Sequence, residues 1–235
     1  MATQTKKPAH VQKDPEVEIE SALGKTELWF EKNWKLLTAV VVAILVVAGG
    51  VYSWYQFYQV PQGQKAGDAM FVAQQLFAEG DYTTALNGDG NNAGFAEVAD
   101  AYKSTPQGRL AAHYAGICYI KLGDADAALD YLSRYKPTKG APNGLINAQN
   151  EGLKGDICVD KDELSVAITH YRRAVEVSDN VMTAPTYLKK LGLALEATGN
   201  YAEAVKAYRR VADDYPTSLE ARDIEKFASA AEQKL

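Results

Sequence analysis

Hydrophobic and polar positions along the chain fall into three regimes. Residues 36–58 (LLTAVVVAILVVAGGVYSWYQFY) contain no charged side chain in 23 positions. As a helix, at about 1.5 Å per residue, they span roughly 34 Å, enough to cross a hydrocarbon core of about 30 Å. Upstream, residues 16–35 (EVEIESALGKTELWFEKNWK) fit an amphipathic helix running into that span. Val17, Leu23, Phe30 and Trp34 are its apolar contacts, and Glu16, Glu18 and Glu20 lie on a solvated face. Residues 1–15 are polar and proline-containing and read as a disordered tail. Downstream, apolar positions recur on the helical period in paired blocks, which predicts an all-α domain over residues 68–235, with residues 59–67 (QVPQGQKAG) as a linker.

Aromatic residues mark both ends of the uncharged segment. Trp29, Phe30 and Trp34 precede it, and Tyr52, Trp54, Tyr55, Phe57 and Tyr58 gather at its far end. Amphipathic rings favour the two membrane–water interfaces, so a transmembrane helix over 36–58 is the first reading. Lys25, Lys32 and Lys35 lie before the segment, while only Lys65 follows closely. The positive-inside rule then puts the N-terminus in the cytoplasm and residues 59–235 across the membrane, as a single-pass type II anchor. A cleavable signal peptide is the rival, since Val46 and Ala48 imitate a small-residue cleavage motif. A leader of 35 residues and the aromatics downstream of that motif speak against cleavage. Core helices rarely run so long without a charge, which weighs against a buried core helix.

The paired blocks are copies of one unit. Gly192, Gly199, Ala204, Tyr208 and Pro216 stand at positions 8, 15, 20, 24 and 32 of a 34-residue helix–turn–helix frame, with Leu191 and Leu195 at 7 and 11. This resembles a tetratricopeptide repeat. A second copy carries Gly116, Tyr119, Gly123, Ala128 and Tyr135; a third carries Gly155, Ala167, Tyr171 and Ala174. A degenerate copy lies at 66–106, with Gly80, Tyr82 and Ala85 in frame; NGDGNNAG interrupts it before Ala101 and Pro106. Small residues at positions 8, 20 and 27 let the two helices of a unit approach, and large ones at 7, 11 and 24 fill the space between units. No unit buries its apolar face alone, so the last needs a cap. Residues 216–234 suit one, with Leu219, Ile224 and Phe227 on one side. Alanine-rich hairpins without repeat geometry are the plainer alternative.

Charge changes this picture by its distribution. The formal net charge is 25 − 30 = −5. Residues 1–35 hold six lysines and six acids and sum to zero, so the 177 residues after the span hold 19 cations against 24 acids. Neither part is basic, which excludes nucleic-acid binding as a leading reading. Two cysteines, Cys118 and Cys158, are too few for a disulfide-stapled mini-fold or a structural zinc site. They occupy similar places in successive copies, so they read as two buried thiols or as a disulfide. His10, His113 and His170 have no Cys or acid at metal spacing. The stretch Asn87-Gly88-Asp89-Gly90-Asn91-Asn92 hints at a calcium loop, yet it lacks the closing glutamate and reads as an insertion. With no phosphate loop, GxSxG elbow or HExxH present, no enzyme, cofactor, metal or small-molecule substrate is expected.

Binding is then expected on the inner face of the stack, at positions 2, 5, 9, 12 and 13 of each first helix. In the first clear copy these are Leu110, His113, Ile117, Ile120 and Lys121; in the next, Gln149, Gly152, Asp156, Val159 and Asp160. In the last they are Thr186, Lys189, Leu193, Glu196 and Ala197. This set is mixed, partly apolar and not basic, which suits a hydrophobic or mixed protein partner. Equally, the groove could be filled by the chain's own helix 66–79 or by the cap.

The order of parts, with Trp29-Phe30-Glu31-Lys32-Asn33-Trp34-Lys35 at the entry to one span and an acidic repeat domain after it, resembles the YfgM family over the full length. That resemblance implies an inner-membrane protein with a periplasmic repeat domain. It further implies an ancillary subunit of the SecYEG translocon that works with the membrane-anchored chaperone PpiD on emerging secreted proteins. The longer leader and the better-preserved repeat over 185–216 depart from the family pattern. The second reading is an adaptor for another envelope complex, in cell-wall synthesis or outer-membrane biogenesis.

Overall fold

A computed structural model describes residues 15–137 and 143–235, so the tail expected over residues 1–15 lies outside the described residues except for Pro15. Every regular element among them is helical. The chain divides into two compact units, Met1–Tyr58 and Gln59–Leu235.

Among the described residues the first unit is helical: α1 (Pro15–Trp54) is followed by a π-helical turn at Tyr55–Gln59. The amphipathic segment expected before the span and the span itself are therefore continuous. Within α1 two polar side chains turn back on the helix: Asn33 Nδ2 donates to the Trp29 carbonyl at 2.7 Å and Thr38 Oγ1 to that of Trp34 at 2.8 Å. Residues 38–58 stand exposed. By length and composition this helix is long and apolar enough to cross a membrane.

Residues 59–67, expected to be a linker, are instead the start of the second unit. They belong to the end of the π-helical turn and to α2 (Val60–Glu79), and Gly63 and Ala66 are buried. Pro61 sits in the first turn of α2, directly after the π-helical turn, and has no N–H to give to the helix. Apolar partners for Ala66 and Met70 are available only in the folded unit, and their burial overrides the Pro/Gly-rich composition.

Beyond α2, helices α3 (Tyr82–Asn87) and α4 (Phe95–Ala101) flank the interrupting loop. Three hairpins then follow: α5 (Pro106–Leu122) with α6 (Ala125–Arg134), α7 (Asn143–Asp160) with α8 (Leu164–Val177), and α9 (Ala184–Ala197) with α10 (Tyr201–Asp214). A 3-10 turn at Glu220–Arg222 leads into α11 (Ile224–Glu232). Each hairpin matches one clear copy of the sequence frame. The glycine at position 8 is where the second helix lays its large side chain. A Cβ on Gly116 would lie 2.6 Å from Leu132 Cγ, and one on Gly155 would lie 2.6 Å from the Tyr171 ring. Gly192 meets Tyr208 in the same way. Position 15 turns the chain between the two helices with a left-handed residue, Gly123 at φ 83° and Gly199 at φ 76°; the middle copy places Asp162 there at φ 61°.

The apolar core comes in three pieces. One runs from Cys158 to Ala231, one from Ala66 to Cys118, and a small one joins Ala128, Leu132 and Ile157. Cap helix α11 buries Ile224, Ala228 and Ala231 completely, with Phe227 partly buried beside them. Leu219 departs from the expected cap face and is 70% exposed, because the 3-10 turn separates its direction from that of α11. Cys118 and Cys158 are free buried thiols, each with its pKa raised by burial, Cys118 to about 12.

Candidate functional site: the inner face and its C-terminal cleft

The first helices α5, α7 and α9 carry the expected inner-face residues, and the structure treats them unequally. His113 on α5 is 1% exposed and offers no surface to a partner. Its Nδ1 lies 3.1 Å from Asn150 Nδ2 on α7, and the rings of Tyr114 and Tyr135 stand 5.8 and 5.5 Å away. Burial pushes its pKa down to about 4, against the hydrogen bond to Gln149 and in concert with the positive charge of Lys154, so the ring is neutral. Position 5 of this copy is thus part of the joint between repeats. Ile117 and Ile120 are half-buried, and Ile120 packs on the small central core, while Lys121 is exposed.

On α7, Val159 and Asp160 are exposed, but Asp156 is committed. It accepts from Tyr171 Oη at 2.8 Å and from Lys190 Nζ at 2.7 Å. Glu196 on α9 accepts from Tyr208 Oη at 2.7 Å and faces Lys234 Nζ at 3.4 Å. Burial raises the pKa of both phenols, and their carboxylate acceptors raise it further, so both remain donors. These two acids hold the tyrosines of position 24 in place. Below the inner face, Glu151 is buried beside Lys154 (3.1 Å) and His170 (2.9 Å). Burial opposes its ionisation, yet the His170 hydrogen bond with Lys154 and Arg173 holds its pKa below the ordinary value.

A cleft of about 510 Å³ lies open between α9 and the turn before the cap. Thr186, Lys189 and Leu193 of the expected set line it with Lys190, Leu219, Glu220, Arg222 and Asp223. Thr186 Oγ1 donates to Glu220 Oε1 at 2.6 Å, and Lys189 Nζ lies 2.8 Å from both oxygens of Asp223. Both pairs join residues 34 apart, which are equivalent positions of successive frames. Between the polar walls Leu193 is 45% and Leu219 70% exposed. Such a cleft suits an apolar side chain held between groups that orient a backbone or polar neighbour. Lys190 and residues 219–223 escaped the sequence argument, because the cleft draws on position 6 and on the next frame. The offset of 34 between Thr186 and Glu220, and between Lys189 and Asp223, was the available signal.

Trp29, Phe30, Trp34, Tyr52, Trp54 and Tyr55 are all exposed in the first unit. In the Asn87–Asn92 loop the Asp89 carboxylate accepts from the Asn91 and Asn92 amides at 2.9 and 2.7 Å, closing a turn on itself. Among the described residues no group of His, Cys, Asp and Glu has metal-binding arrangement.

The tetratricopeptide-repeat signature matches residues 111–136 and 190–218, on the α5–α6 and α9–α10 hairpins. Two crystal structures of MamA share the architecture. One is 19% identical with a TM-score of 0.51, covering 69% of this chain and 94% of that one. The other is 18% identical with a TM-score of 0.52, covering 73% and 88%. No curated protein matches the sequence. The fold is a tetratricopeptide-repeat solenoid, and such repeats indicate a protein–protein interaction adaptor.

Proposed function

From an adaptor built of tetratricopeptide repeats, we propose a non-enzymatic subunit anchored in the bacterial inner membrane by residues 36–58. Its N-terminus is cytoplasmic, its repeat domain periplasmic, and it serves as an ancillary component of the SecYEG translocon. The repeat domain recruits a membrane-anchored chaperone such as PpiD, or handles emerging secreted chains. One observation carries the anchor: residues 38–58 are exposed and uncharged, an arrangement that water does not favour and a bilayer does. The lysines before the span support the orientation. The translocon assignment rests on the YfgM resemblance. The C-terminal cleft supports a protein ligand over a small polar one, because it exposes Leu193 and Leu219 beside Lys189 and Asp223, which already pair with each other.

Affinity purification of the full chain in mild detergent, followed by mass spectrometry, tests this. Translocon subunits are expected among the co-purifying proteins, and replacing residues 36–58 with an unrelated apolar span is expected to lose them. A pull-down that yields cell-wall or outer-membrane assembly proteins and no translocon subunits overturns the assignment.

A further inference from the structure

A second cleft, of about 340 Å³, lies where α4, α5 and α6 meet, away from the inner-face positions. Its floor is Ala99, Gly108 and Ala112, all buried, whose side chains end at or before Cβ. Its rim is Lys103, Arg109 and Arg134, with Asp100 as the one lining acid. Two features prepare this rim for an anion. Arg109 is held by backbone carbonyls: its Nε donates to Thr105 O at 3.3 Å and one terminal nitrogen to Ser104 O at 3.2 Å. The guanidinium is thereby fixed, and its remaining N–H groups stay uncommitted. Arg134 lies over the Tyr131 ring at 4.0 Å and already pairs with Asp100 at 2.7 Å and Asp130 at 2.5 Å, so the uncommitted positive charge of the rim is that of Arg109 and Lys103.

Among the described residues neither Lys103 nor Arg109 has a carboxylate within ion-pair distance. A fixed guanidinium beside a lysine, over a floor of small residues, matches a carboxylate: Arg supplies a planar pair of donors and Lys a point charge. The floor leaves room for the methylene stem that carries such a group. We propose that this cleft binds the carboxylate side chain of an acidic segment of a partner protein, as a docking point separate from the inner face. The proposal rests on the adaptor reading.

The test uses the full chain in phosphatidylcholine nanodiscs and a fluorescein-labelled hexaglutamate peptide, read by fluorescence polarisation. The acidic net charge of the repeat domain repels this probe, so binding reports a local site. Saturable binding is expected, weakened about tenfold or more by Arg109→Glu and by Lys103→Glu. Lys226→Glu, at an exposed lysine outside both clefts and the inner-face set, is expected to leave it unchanged. Absence of binding overturns the proposal, as does equal loss in Lys226→Glu and Arg109→Glu. Displacement of the peptide by equimolar inorganic phosphate also overturns it, assigning the cleft to a free oxyanion. Peptide binding that survives while purification yields no translocon subunits supports the cleft and overturns only the proposed complex.

Discussion

At position 15 of the repeat frame, one residue per hairpin must adopt a left-handed backbone. Gly123 and Gly199 do so without a Cβ penalty, whereas Asp162 does so at φ 61° with a side chain. Asp162→Gly should therefore stabilise the domain, by about 0.5–1 kcal/mol, and Gly199→Ala should destabilise it by about 1 kcal/mol. Urea denaturation midpoints measure both, and the opposite signs are the signature of backbone strain. The glycines at position 8 act differently, by close approach. Gly192→Ala would drive a Cβ into the Tyr208 ring, which is fully buried, and should cost about 2–3 kcal/mol. Tyr208→Phe keeps the ring and removes only its bond to Glu196, so it should cost about 1 kcal/mol by the same measurement.

Between elements, the joint from α5 and α6 to α7 stands apart from the other joints. Buried His113, Asn147, Asn150, Glu151 and Lys154 concentrate there, and the apolar core is reduced to a small cluster. Tyr135 Oη donates to Asn147 at 2.7 Å across this joint. Polar burial of this kind makes stability depend on protonation. Unfolded, the imidazole of His113 takes up a proton below its ordinary value of 6.5; folded, it resists until about 4. Its contribution is full above pH 6.5 and is lost as pH falls toward 4, by roughly 3 kcal/mol at the limit. Glu151, held below its ordinary value of 4.5, loses its contribution only at still lower pH. His113→Gln should therefore flatten the stability–pH curve between pH 6.5 and 4.5, as followed by urea melts at several pH values. Persistence of the slope in that variant would assign it elsewhere.

For the whole molecule, the ends of the stack and the division into two units matter most. A solenoid exposes a core face at its end unless something covers it. Here α11 covers Tyr208 and Val211 of α10 with Ile224, Ala228 and Ala231. Ile224→Ala should cost about 3 kcal/mol, and deleting residues 219–235 should leave a domain that self-associates, as seen by light scattering. The acidic excess of the second unit argues against adhesion to anionic surfaces, so its contacts with other proteins depend on clefts of local charge and apolarity.

The sequence alone determined the repeat frame, the all-α class, the cap and the long apolar helix, because each follows from local periodicity and from glycine, alanine and tyrosine at fixed spacing. Gly116, Gly155 and Gly192 are legible on their own, since a helix packed that closely admits no side chain. Tertiary structure decided the fate of the polar positions. His113 and Lys189 occupy the same position of the frame, yet one is sealed in a joint and the other lines a cleft. Residues 59–67 read as a linker and fold as helix because Gly63 and Ala66 find neighbours only in the assembled unit. Periodicity states which face of a helix turns inward. What meets that face is set by the unit stacked against it, and no local pattern records the neighbour.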